Sequence, residues 1–407
     1  MRSVVTCTSI LFSLSVSAFA SDVSDNWPQW RGPNFNGSSD TGNPPVEWSE
    51  TKNVRWKIEV PGKGSATPII WENRIYVLTA IPTDRKAEGA AAAAAEPPAD
   101  QQQGRGGRGG RGGFGAAPPP TNFHQYAVIC YDRTTGGEVW RTVAVEAVPH
   151  EGGHGTNTFA SGSPVTDGKH LFVSFGSRGV FCFDMNGKEV WHRDLGQMQT
   201  RNSFGEGSSP ALHGDTLVIP WDHEGQSSLI ALDATNGEIR WQVERDERTT
   251  WATPFIVEHN GRTQVVTNGH RVRSYDLETG DLVWECGGQV ENPIPSPVLQ
   301  DNMIVCMTGY RGNAIYAIPL DATDDVTDTD VVAWKRDDAA PYVASPVLYK
   351  GQLYFTKSRE GIMSSVDAAT GEVLIGQQRL PEISSVYASP VAAADRVYFP
   401  GREGATA

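Results

Sequence analysis

The chain has 407 residues, with 48 Asp and Glu against 34 Lys and Arg and a formal net charge of −14. An acidic surface of this size disfavours nucleic acid and anionic lipid as partners and favours solubility. Hydrophobic residues make up 39% of the chain and only five cysteines are scattered along it, so a sizeable core is available and a disulfide scaffold is excluded.

In chain order, the first twenty residues hold one charge, Arg2, then an apolar stretch, then Ala18-Phe19-Ala20. This predicts a signal peptide cleaved near Ala20. The stretch is short and Ser-rich for a membrane span, and no other run could cross a bilayer, so no integral membrane segment is expected. The mature chain is expected to be a monomer in the periplasm or the medium. Residues 21–52 read as an N-terminal extension and 53–407 as a single domain. Trp56, in Asn-Val-Arg-Trp-Lys-Ile-Glu-Val, reads as a last strand with no strands before it. Residues 84–123 hold an alanine tract, Ala90 to Ala95, then glutamines, Arg-Gly-Gly repeats and Pro118 to Pro120. Nothing there can form a core, and the segment reads as a disordered insertion. Its Arg-Gly-Gly repeats resemble an RNA-binding segment, which fits poorly in an exported acidic protein.

The rest of the chain repeats. A small residue and a proline recur at Pro68, Pro164, Pro210, Pro254, Pro297, Pro346 and Pro390, the last six spaced by 43 to 49 residues. A period in the forties with several short apolar runs per unit is the signature of propeller blades. A second phrase, apolar-x-Asp-x-x-x-Gly-x-x-x-Trp, follows each proline. Its copies are Asp132–Gly136–Trp140, Asp233–Gly237–Trp241 and Asp276–Gly280–Trp284, with a shorter one at Asp184–Gly187–Trp191. A degenerate copy runs from Asp321 to Trp334 across an acidic insertion, and Asp367–Gly371 ends in Ile375. Asp opens a tight turn by binding its own backbone, and Gly supplies the positive φ that closes it. Trp140, Trp191, Trp241, Trp284 and Trp334 are expected to wedge between adjacent blades. The fold class is therefore all-β, a propeller of four-stranded antiparallel blades. In the third blade the strands after the first are expected at 215–219, 228–232 and 238–243.

The phrases Ala-Leu-Asp-Ala-Thr-Asn-Gly-Glu-Ile-Arg-Trp (231–241) and Ser-Tyr-Asp-Leu-Glu-Thr-Gly-Asp-Leu-Val-Trp (274–284) resemble the tryptophan-docking repeat of the pyrroloquinoline-quinone (PQQ) propeller superfamily. That superfamily includes quinoprotein alcohol dehydrogenases, the non-catalytic BamB lipoprotein of outer-membrane assembly and many secreted PQQ-like repeat proteins. Trp-Pro-Gln-Trp-Arg-Gly-Pro-Asn-Phe-Asn-Gly (27–37) resembles the start of the last group. The resemblance implies an eight-bladed type. Seven blade starts are present, so either the ring has seven blades or the sequence is a fragment lacking the end of its eighth; the second reading, with a truncated last blade, is the expectation.

Antiparallel order puts the linkers between blades and the turns between second and third strands on one face. There the sequence places Arg178, His223, Glu224, Arg271, Arg311, Asn313, Arg359 and Arg402 in turns, and Arg201, Asn202, Glu206 and Trp251 in linkers. This mouth is the expected site, suited to a small acidic ligand or a protein partner, because guanidinium groups fork onto carboxylates. Pairing of each Arg with a neighbouring glutamate, blade to blade, is the alternative use of the same residues. His150-Glu151-Gly152-Gly153-His154 matches a zinc-protease pattern, but its glycines and strand context argue against the helix that chemistry needs. His150 and His154 remain weak metal candidates. Catalytic members of the superfamily hold PQQ with Ca²⁺ through Glu and Asn, use a catalytic Asp, stack the ring on Trp and often join neighbouring cysteines. Glu206, Asn202, Asp222 and Trp251 are the residue types available, without a matching local motif, and no Cys-Cys pair is present. The expected function is an exported binding or scaffold protein without an assigned cofactor. The alternative is a PQQ-dependent dehydrogenase of alcohols or sugars.

Overall fold

A computed structural model describes residues 23–87 and 117–407. Their strands form seven sheets. In the first blade Ile69–Trp71, Arg74–Lys86, Asn122–Asp132 and Glu138–Ala147 follow one another as an antiparallel meander, innermost strand first. The next five blades repeat this order, with inner strands Val165–Thr166, Ala211–His213, Phe255–His259, Val298–Gln300 and Val347–Tyr349. The seventh has Val391–Ala393 and Arg396–Tyr398. In the third blade the remaining strands are Thr216–Trp221, Ser227–Asp233 and Ile239–Arg245, within two residues of expectation. The fold is a β-propeller.

The insertion begins later and ends sooner than the sequence suggested. Lys86 pairs with Asn122, and the Arg85 guanidinium lies 3.6 Å from the centre of the Phe123 ring, so both strands extend into the expected disordered stretch. The remainder of that stretch, residues 88–116, lies outside the described residues. So does the expected signal peptide.

Asp132 shows how each blade turns. Its Oδ1 accepts the amides of Thr134 at 3.0 Å and Thr135 at 2.8 Å, and Gly136 closes the turn at φ 74°. The glycine is required for a second reason. A Cβ on Gly187 would fall 2.6 Å from the Trp140 indole, and one on Gly237 would fall 2.6 Å from Trp191. Each indole also donates to a carbonyl in the next blade: Trp140 to Met185 at 3.2 Å, Trp191 to Ala234 at 2.9 Å, Trp241 to Leu277 at 2.8 Å and Trp334 to Ala368 at 3.2 Å. Trp56 forms no strand, yet it seats in the same way, donating to Arg133 at 3.0 Å over Gly136. Trp284 departs from this geometry. The acidic insertion adds Asp324–Asp325 as a parallel strand beside Leu282–Cys286, and the fully buried Trp284 bonds Gln264 within its own blade.

The small residue before each proline has a specific task. Thr67 N–H donates to Ser163 Oγ at 2.9 Å, Ser163 to Ser209 at 2.9 Å and Ser209 to Thr253 at 3.1 Å. Thr253 donates to Ser296 at 2.8 Å, Ser296 to Ser345 at 2.9 Å and Ser345 to Ser389 at 2.9 Å. Proline holds each of these residues extended. The amides of the first six point along the ring of blades and not into a sheet, and a hydroxyl in the next blade receives each one.

The N-terminal segment fills the axis. Trp27 exchanges two backbone bonds with Ile70, both at 2.9 Å, and Pro28 O accepts from Thr166 at 2.9 Å. Asn36 O accepts from Leu348 at 3.2 Å and Gly37 O from Ala392 at 2.9 Å. All four partners stand two residues after a repeat proline, so the segment lies one layer beyond the hydroxyl ring. Phe35 meets Phe255 edge-on at 5.3 Å. Residues 27–39 thus belong to the propeller's centre and are not a separate extension.

Ser209→Ala should strand the buried Ser163 amide and cost about 1–3 kcal/mol in urea unfolding. Ser209→Thr, which places there the residue type found at position 253, should stay closer to the unsubstituted chain.

Candidate functional site

Above the N-terminal segment the axis opens into a cup of about 580 Å³. Trp27, Trp30 and Arg31 form part of its floor, and the ring hydroxyls of Ser163, Ser209, Thr253 and Ser389 line it. Its wall is aromatic. Tyr310 and Tyr342 stack at 4.8 Å and 27°, Arg359 lies 5.7 Å from the Tyr342 ring centre, and Arg359 Nη1 donates to Tyr387 Oη at 3.1 Å. Trp251 enters from the linker between the third and fourth blades and is tied down by its indole N–H on Gly205 O at 2.7 Å. Among the described residues that line the cup, none is Asp or Glu.

Arg31 gives the floor its charge. It is 3% exposed, and its guanidinium donates to carbonyls of Pro390 at 2.9 Å, Asn36 at 3.1 Å and Pro346. Among the described residues no carboxylate pairs with it. Burial pushes its pKa down to about 9, which still leaves it charged at neutral pH. The backbone accepts a cost to place it: Arg31 and Phe35 sit at φ 73° and 53°, and a Cβ on Gly37 would lie 2.3 Å from the guanidinium.

A second, smaller cavity of about 60 Å³ lies between the second and third blades. His150 Nδ1 accepts from Arg178 at 2.9 Å, and its Nε2 donates to Met198 O at 2.7 Å. Glu206 Oε2 accepts the Ser177 amide at 2.8 Å, and Oε1 takes the Ser177 hydroxyl. Burial pushes the Glu206 carboxyl up, against those two hydrogen bonds. His150, Glu151 and Glu206 approach within 4.8 Å of one another, but Thr200 holds Glu151, Ser177 holds Glu206, and both ring nitrogens of His150 are engaged. His154, the other weak metal candidate, is apart from them. It lines the cup, with Nδ1 2.8 Å from Thr156 Oγ1 and its ring edge-on to Phe204 at 5.1 Å. Residues 150–154 contain no helix.

The remaining expected residues divide. Arg359 and Trp251 line the cup. Arg402, 4.4 Å from the Tyr387 ring centre, and Arg311, 5.2 Å from that of Tyr310, flank it. Arg271 is drawn away to Glu285 at 2.8 Å and Asp325 at 2.6 Å, and Arg201 pairs with Glu291 at 3.1 Å. His223 is consumed within its own turn, accepting from Gln199 and Gly225, each at 3.2 Å, and donating to Gln226 O at 3.1 Å. Glu224 accepts from Thr249 Oγ1 at 2.8 Å, and Asn313 Oδ1 accepts the Ala340 amide at 3.0 Å. Asn202 is exposed at φ 52°. Sequence reasoning missed Trp27, Trp30 and Arg31, although the density of aromatic, Arg and Gly residues in 27–37 was the available signal.

A calcium-bound quinone needs several protein oxygens converging on the cup. Asp222 is buried 3.2 Å from Arg245 and accepts from Thr250 at 2.7 Å; Glu206 is spent on Ser177; neither reaches the cup, and nor does Asn202. The residues present do not fit that pair. Cys130, Cys182, Cys286 and Cys306 are free and buried, and burial pushes the Cys182 thiol up to about 12.

Five four-stranded blades, one of five strands and a seventh sheet, joined by Trp-over-Gly contacts, define a PQQ-like repeat β-propeller. The chain belongs to the family described as "Outer membrane protein assembly factor BamB", whose model matches residues 125–377. Among solved structures, BamB from Moraxella catarrhalis is similar at 15% identity and a TM-score of 0.50, over 70% of this chain and 80% of that one. A europium-containing methanol dehydrogenase is similar at 14% identity and a TM-score of 0.50, over 94% of this chain and 89% of that one. At such identities the likeness concerns the fold. No curated protein matches significantly. Among the described residues, no helix is long and apolar enough to cross a membrane.

Two measurements test these assignments. Asp222→Ala should leave Arg245 buried without its partner and cost about 3–5 kcal/mol in urea unfolding. Glu206 has a folded pKa above its unfolded value, so the folded chain holds the extra proton. Its contribution therefore falls as pH rises from about 4.3 through the raised value. The urea midpoint of Glu206→Gln minus that of the unsubstituted chain should rise across this window and stay flat below it.

Proposed function

We propose that this chain is an exported binding propeller whose ligand or partner group sits in the central cup. The carrying observation is the cup itself: about 580 Å³ walled by aromatic rings and floored by a buried, carboxylate-free arginine. Ligand sites are concave, largely apolar and supplied with a few fixed polar groups. The cup meets that description, and the family's repeats supply a rigid frame for it. Export is supported by the first twenty residues, with their single charge and Ala-Phe-Ala ending. The dehydrogenase alternative has no comparable support, because the cup's lining lacks metal-binding carboxylates.

The test is affinity-selection mass spectrometry. The purified mature chain is incubated with small-molecule extracts of the producing cell's envelope and medium. A compound retained by the unsubstituted chain should be retained about tenfold less by Tyr342→Ala. Retention of nothing, or retention indifferent to Tyr342→Ala, would refute a binding role for the cup. N-terminal sequencing of the chain recovered from periplasm or medium should begin near Ser21. Recovery in the cytoplasm with Met1 intact would remove export from the proposal.

A further inference from the structure

We infer that the cup takes a small carboxylate-bearing sugar. This rests on the cup being a binding site and adds the chemistry of its occupant.

The argument starts from donors. Ser163, Ser209, Thr253 and Ser389 each accept an amide N–H from the preceding blade. A hydroxyl has one proton to give, and accepting a bond polarises that proton for donation. These four line the cup, so their protons are available to its contents. Tyr387 Oη is in the same condition, since it accepts from Arg359 at 3.1 Å. Arg359 adds a planar fork and Arg31 a fixed charge beneath. No acidic side chain among the described lining residues answers them. A cup so rich in donors and so poor in acceptors selects an acceptor-rich anion, and a buried charge without a counter-ion gains most from one.

The walls then exclude a bare inorganic ion. The stacked Tyr310 and Tyr342 offer a flat apolar face, and Trp251 and Tyr387 add more. Such faces fit the C–H surface of a sugar ring, whose hydroxyl oxygens accept from the ring of serines. The volume of about 580 Å³ leaves room for roughly one or two such rings. Arg359 matches a carboxylate in bidentate fashion.

The test is calorimetric titration of the mature full-length chain with digalacturonate, with neutral galactobiose and with benzene-1,3,5-tricarboxylate. Digalacturonate should bind saturably, and galactobiose about tenfold or more weakly. Arg359→Gln should remove most of that preference, whereas Tyr342→Leu should weaken both sugars alike; cooperative melting of each variant confirms folding. Equal binding of the two sugars, or a preference unchanged in Arg359→Gln, would overturn selection for the anion while leaving the cup a binding site. Tighter binding of the aromatic acid would overturn the sugar. Absence of heat with all three overturns the inference, and Tyr342-dependent retention of some other compound would show that the binding role survives it.

Discussion

The relay of amides onto hydroxyls around the axis is the constraint on which the rest of the molecule depends. The residue before each of the first six repeat prolines donates its N–H out of its own sheet, and a buried amide left alone is costly. The next blade supplies the acceptor. Each blade therefore fixes the radial position of its neighbour at the axis, while the Trp-over-Gly contacts fix it again farther out. Two ties at different radii define the angle between blades better than either alone. The outer tie is a wide ring face with one indole hydrogen bond; the inner one is a hydrogen bond alone.

That inner relay also prepares the site. A hydroxyl employed as an acceptor keeps its own proton for the axis, so the bonds that run from blade to blade leave a rim of donors inside them. The N-terminal segment then covers one end of the axis, with backbone bonds to four blades two residues beyond their repeat prolines. It brings Arg31 with it. Held on carbonyls alone, this guanidinium is stabilised by dipoles but not neutralised. The framework and the lining of the cup thus arise from the same few residues, and a substitution in the ring acts on both.

The architecture was readable because it is periodic. Pro, Asp, Gly and Trp recur for reasons of backbone conformation and burial that any one copy displays. The site was only partly readable. Placing Arg178, Arg271, Arg311, Arg359 and Arg402 at equivalent turns was sound topology, but a turn position does not say which way a long side chain leans. Arg271 found Glu285 on a strand of its own sheet and Asp325 on the acidic insertion that extends that sheet, partners invisible to spacing. Arg359 has tyrosines where Arg271 has acids, and so it stayed at the cup. The N-terminal segment was misplaced for a different cause. It carries no repeat, and its partners lie up to 359 residues away, as in the bond from Arg31 to Pro390.

The distribution of charge separates the two roles an arginine plays here. In the third blade Arg245 meets Asp222, and in the fourth Arg273 meets Glu285 of its own sheet and Asp246 and Glu247 of the linker before it. These cations are matched by anions and do not face the cup. At the axis the matching stops. Arg31 and Arg359 have carbonyls, a phenol and aromatic faces around them, in a chain whose net charge is −14. These two cations thus sit inside a shell of the opposite sign, which disfavours the approach of anions from bulk solvent. An anion bound as proposed would have to draw on shape and ring contact as well as charge, because charge alone would be screened at the rim and opposed outside it.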